Sequence, residues 1–74
     1  MMRDPRVDPK AGDVLRRIAD GVPTLRYVLD VPEHGGMILV EDVLMGFGKS
    51  RKLRPYPYQF RLWARTATVE VQSE

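Results

Sequence analysis

Lys49, Arg51, Lys52 and Arg54 fall within six residues, and Arg61 and Arg65 follow in the next eleven. Tyr56, Tyr58, Phe60 and Trp63 stand between these basic positions. Cations that meet phosphates, interleaved with flat rings that meet bases, are the composition of a surface for single-stranded nucleic acid. Residues 49–65 carry six Lys or Arg and no acid, whereas residues 21–48 carry one Arg and four acids. The net charge of +2 therefore hides one strongly basic segment in an otherwise balanced chain. The candidate nucleic-acid-binding residues are Lys49, Arg51, Lys52, Arg54, Tyr56, Tyr58, Arg61 and Arg65. Phe60 and Trp63 are assigned to the core, because a chain of 74 residues must fill its interior with its largest rings. Tyr56 and Tyr58 stay open between surface and core. The plain alternative for the cations is a solvated outer face.

Other chemistries find little support. Gly48-Lys49-Ser50 matches the end of a phosphate-binding loop, but the first glycine of that pattern is replaced by Val43. The long helix that must follow is forbidden by Pro55 and Pro57. His34 is the single histidine and lies beside two glycines, a poor arrangement for a metal. Without cysteine there is no thiolate nucleophile or ligand, and Ser50 and Ser73 have no histidine near them in sequence. Glu41 and Asp42 are adjacent on a strand, so their carboxylates point to opposite faces. The expectation is a non-enzymatic protein with no cofactor and no metal.

The elements that must carry the basic segment are short strands. Thr24–Leu44 reads as a β-hairpin whose arms are joined by a tight turn at Gly35-Gly36. Leu25, Tyr27, Leu29 and Val31 alternate with Thr24, Arg26 and Asp30, so the first set is expected to face the core; Val28 breaks the pattern. Glu41 and Asp42 are expected to mark the exit of the second arm toward solvent. Residues 13–20 admit two readings: a short helix capped by Asp13 and stopped by Gly21, or a first strand ending at the turn Ala19-Asp20-Gly21. The surrounding strands favour the second. Residues 45–50 read as a loop and residues 51–56 as an edge strand, since Pro55 and Pro57 lack a ladder donor. Phe60, Trp63, Ala64 and Ala67 have helical spacing after Pro57, which suits a helix start. Thr66–Gln72 alternates as a last strand.

This order predicts a mainly β fold, a small five-stranded barrel with one short helical turn before the last strand. It resembles an SH3-like barrel. The alternative is an α+β fold with an N-terminal helix over 13–20. Residues 1–12, with Asp4-Pro5 and Asp8-Pro9, read as an extended arm, and residues 13–74 as a single domain. The absence of cysteine and of any apolar run among the first ten residues suggests a reducing, cytoplasmic setting. No stretch approaches the length of a membrane span, so no membrane partner is expected.

Asp4-Pro5-Arg6, Asp8-Pro9 and Gly12-Asp13 resemble the opening of short uncharacterised bacterial and phage or prophage proteins. Trp63-Ala64-Arg65, followed by Ala67 and Val69, resembles their close. The likeness covers both ends of the chain and implies a bacterial or phage setting but no activity. Two functions remain: a binding module for single-stranded nucleic acid, working through residues 49–65, or a protein-interaction or assembly module that pairs a strand edge with another chain or a second copy of itself.

Overall fold

The computed structural model of the chain describes residues 3–73. The elements follow in the order β1 Val14–Ala19, β2 Val22–Asp30, β3 Leu39–Leu44, β4 Lys49–Leu53, α1 Pro57–Ala64 and β5 Thr68–Val71. The strands form one antiparallel sheet in the order β4-β3-β2-β1-β5.

Residues 14–19 are a strand, and the turn chemistry explains why. Ala19 pairs with Val22 across a two-residue connection, Asp20-Gly21, with φ of 52° and 77°. Positive φ at both central positions gives the turn whose twist matches that of its flanking strands, and Asp-Gly is among the pairs that adopt it readily. Helix α1 begins at Pro57, where a missing N–H leaves nothing unsatisfied. The Gln59 side-chain carbonyl accepts a hydrogen bond from the Tyr56 amide at 2.9 Å, and the Phe60 amide donates to the Tyr56 carbonyl at 2.9 Å. Phe60 and Ala64, four residues apart, share the buried face of the helix.

The core lies between this helix and one face of the sheet. Leu15, Val28 and Val40 meet Phe60 and Ala64, with Ile38 and Ala67 contributed by the connections. Val31, Leu53, Trp63 and Val69 pack around them. No ladder joins β4 to β5 among the described residues, so the sheet is open with those two strands as its edges. Pro55 and Pro57 follow β4 closely, and β5 has only four residues with a bulge at Glu70. The bulge breaks the expected alternation of Ala67, Val69 and Val71, leaving Val71 exposed.

Two expectations for the hairpin are overturned. Its arms are joined by residues 31–38 rather than by a tight glycine turn, with Asp30 paired to Leu39. The Ile38 amide in this connection donates to the Pro55 carbonyl at 2.8 Å, and that side chain completes the core. The buried face of β2 is also the opposite one. Cross-strand partners share a face, and the ladder aligns Leu15, Arg26 and Asp42, then Val28 and Val40, toward α1. Leu25, Tyr27 and Leu29 turn away from the helix, and Tyr27 and Leu29 are exposed; Val31, beyond the strand, does pack on the core.

Residues 3–12 fold back against the start of β1. Asp13 is fully buried and accepts from both Arg3 guanidinium nitrogens at 2.6 and 3.0 Å, from the Lys10 amide at 2.7 Å and from the Ser73 amide at 2.7 Å. Arg3 also donates to the Ser73 carbonyl at 2.5 Å. One carboxylate therefore ties together the segment near each end of the described chain and the beginning of the sheet. Gly12 makes this approach possible: its φ is 97°, and a Cβ there would lie 3.1 Å from the Ser73 hydroxyl oxygen.

Burial pushes the Asp13 carboxyl up, but the Arg3 guanidinium and the Lys10 and Ser73 amides outweigh it and hold the group below its ordinary value. The unfolded chain binds this proton more readily than the folded one. The contribution is thus complete above the ordinary Asp value of about 3.9 and is lost as pH falls through the folded value. Asp13→Asn is expected to lower stability at neutral pH and to flatten the acid side of a stability-against-pH curve, as followed by urea unfolding.

Candidate nucleic-acid interface

The helix covers only part of the sheet's inner face. Where its cover ends, the side chains on that face become polar. Arg26 is 5% exposed and forms a two-pronged ion pair with Asp42, its direct partner across the β2–β3 ladder, at 2.7 Å for both contacts. The planar guanidinium fits the carboxylate edge to edge, which makes this the strongest geometry for such a pair. The Arg26 guanidinium lies 4.0 Å from the centre of the Trp63 ring and 5.9 Å from that of Phe60. The Arg17 guanidinium lies 5.7 Å from the Trp63 ring. Cations at these distances are attracted by the negative face of the ring.

A cleft of about 520 Å³ opens beside this cluster, lined by Thr24, Asp42, Leu44, Lys49, Ser50, Arg51 and Trp63. Lys49 and Arg51 reach it because they are the cross-strand partners of Leu44 and Asp42 and so share their face. Asp42 already gives both oxygens to Arg26, and neither Lys49 nor Arg51 has an ion-pair partner among the described residues. A second groove, of about 360 Å³, lies on the other flank of Trp63 and is lined by Arg26, Leu53, Arg54, Pro55, Gln59 and Trp63. Tyr56 and Tyr58 are exposed and stack on one another, with ring centres 6.3 Å apart and planes 10° from parallel.

The eight residues anticipated as a binding surface therefore divide. Lys49 and Arg51 enter the cleft, Arg54 enters the adjoining groove, and Tyr56 and Tyr58 form an exposed ring pair. Lys52 pairs with Glu41 and faces the other side of the sheet. Arg61 and Arg65 are exposed and line neither cavity. Trp63 is half-buried rather than wholly interior: it packs on the core while forming the wall between the two cavities.

Sequence reasoning missed Arg17, Thr24, Arg26 and Asp42. The available signal was Val28, the one large apolar residue out of step in β2. Taken as the mark of the inner face, it puts Thr24 and Arg26 on that face as well. Asp42 is not an exit to solvent, because β3 continues to Leu44. Lys49 and Ser50 lie in strand β4 with Glu41 and Asp42 on opposite sheet faces, so no phosphate-binding loop forms. His34 lies in the exposed connection, 3.9 Å from Glu33. Among the described residues no three His, Asp or Glu side chains gather as for a metal ion, and no helix is long and apolar enough to cross a membrane.

No protein-family model, curated protein or solved structure matches this chain.

Trp63→Ala removes both the packing against the core and the ring beneath Arg26. It is expected to cost about 2–4 kcal/mol, toward the lower end for a large aromatic because the ring is only half-buried. Urea unfolding measures this cost. Native tryptophan emission is expected between the values of a buried and a fully solvated indole.

Proposed function

We propose that the chain is a non-enzymatic module that holds a single-stranded nucleic acid along β4 and the start of α1. Lys49, Arg51 and Arg54 contact successive phosphates, and Tyr56 and Tyr58 offer their rings to bases. The observation that carries this reading is the placement of Lys49 and Arg51 in the cleft with no ion-pair partner among the described residues, the one acid there, Asp42, being held by Arg26, next to Arg54 and the exposed ring pair. Trp63 serves as a wall and not as a stacking platform, since the Arg26 guanidinium is held 4.0 Å from its ring centre. The strand order β4-β3-β2-β1-β5, with a helical segment before the last strand, resembles an SH3-like arrangement, here with the sheet open between β4 and β5. The fold argues by analogy only, and the function rests on the surface. The resemblance of the two chain ends to short bacterial and phage proteins would place the module in that setting.

Pairing with another protein through a strand edge is less well supported. The β4 edge is lined with Lys and Arg, and the β5 edge is four residues long with a bulge, both devices that discourage strand addition.

With three phosphates neutralised, the slope of log affinity against log salt is expected near −2 for a single strand, from roughly −0.7 per contact. Titration of a labelled oligonucleotide at several salt concentrations measures it. Arg51→Ser should weaken binding and shallow the slope, whereas Lys52→Ser, on the far face, should leave both unchanged. No binding at low salt, or equal losses in the two variants, would sink the proposal.

A further inference from the structure

The polar part of the inner face continues past the cleft to β1. Arg17, Thr24, Leu44 and Lys49 form one row across four strands, each the cross-strand partner of the next. Cross-strand partners share a face, so Arg17 stands on the same face as Thr24, Leu44 and Lys49, which line the cleft. Its guanidinium lies 5.7 Å from the centre of the Trp63 ring, a wall of that cleft. The neighbouring Arg16 is on the opposite face and pairs with Glu70 at 3.8 Å. Arg17 has no such acid. Among the described residues it makes no ion pair, and its side chain donates no hydrogen bond. A guanidinium has five N–H donors and a charge that a ring contact does not neutralise.

We infer that a single-stranded nucleic acid held in the cleft continues across the sheet to β1, where Arg17 binds a further phosphate and Thr24 offers its hydroxyl on the way. This path extends the binding proposed for the cleft and depends on it. Three strand spacings of about 4.8 Å separate the backbones of Lys49 and Arg17, roughly 14 Å in all. A stacked strand carries one phosphate for about every 3.4 Å of its axis, so up to about four nucleotides cover that distance, fewer if the strand is stretched. A compact anion would meet one end of the row only. The acid beside the path, Asp42, gives both oxygens to Arg26, so Arg17, Lys49 and Arg51 keep their full charge for a polyanion.

Titration of a labelled strand of about ten nucleotides at several salt concentrations tests the path. With Arg17 added to Lys49, Arg51 and Arg54, the slope of log affinity against log salt is expected near −3 rather than the −2 of three contacts, at roughly −0.7 each. Arg17→Met keeps an unbranched chain beside Trp63 but no charge. It should weaken binding several-fold and make the slope shallower by about 0.7, and Arg17→Lys should restore the slope. Arg16→Met, on the other face, should leave the slope unchanged. Should Arg17→Met fail to fold, the unaltered protein decides: the Arg17 Nε–H resonance should shift when the strand is added. A folded Arg17→Met with wild-type affinity and slope, or an unmoved Arg17 resonance, overturns the path; if Arg51→Ser still weakens binding, the cleft itself stands. No binding of the strand at low salt removes both. An acidic peptide of equal charge that binds as tightly would point to a protein partner and overturn the inference as well.

Discussion

The buried ion pair between Arg26 and Asp42 is the constraint around which the rest of the domain is arranged. A charge taken from water into a core face is costly unless an opposite charge meets it with good geometry. Here the partner is the residue directly across the ladder, both nitrogen–oxygen contacts are 2.7 Å, and the Trp63 ring covers the guanidinium. Three consequences follow. Strands β2 and β3 are held in one register, because a slip by one residue would send Arg26 and Asp42 to opposite faces. Trp63 is held at the boundary of the core instead of within it. The inner face is split into an apolar part under Phe60 and Ala64 and a polar part open to the cleft.

Register needs this help because hydrophobicity alone does not choose a face in β2. The residues Leu25, Tyr27 and Leu29 make one face more apolar than the other, which carries Thr24, Arg26 and Val28. Burial by area would favour the first set, at about 25 cal/mol for each Å² removed from water. The pairing of Arg26 with Asp42, and of Val28 with Val40, selects the second. The consequence is that Tyr27 and Leu29 of the central strand stay exposed. The two faces of the sheet thus differ in kind, and the difference follows from the direction in which Arg26 points.

Much of the fold was legible in the sequence where local chemistry dominates. The strand over residues 14–19 is favoured over a helix by the strands around it and ends at the turn expected there, the helix follows from Pro57 with the spacing of Phe60 and Ala64, and the edge character of β4 from Pro55 and Pro57. Misreadings arose where a tertiary contact outweighs local pattern. The face of β2 is set by an ion pair whose partner is sixteen residues away. The turn at Gly35-Gly36 was expected to be tight, but Ile38 is drawn into the core and lengthens the connection. The candidate site was half legible: the basic run is plain, but pleating sends Lys52 away from Lys49 and Arg51. The Arg26–Asp42–Trp63 wall could be assembled only once the ladder was known. The clasp at Asp13 has the same character, since Arg3 and Ser73 are brought to it from distant parts of the chain.

The most direct measurement of the central role given to this pair is a double-mutant cycle with Arg26→Met and Asp42→Leu, followed by urea unfolding. Each single replacement leaves one charge without its partner, and each should cost about 3–5 kcal/mol. In the double variant neither charge remains, and the apolar side chains can pack beneath Trp63. Its stability should recover most of the loss, giving a coupling of at least about 2 kcal/mol. Single-variant losses that simply add, to within about 0.5 kcal/mol, would contradict a pair that holds the hairpin in register.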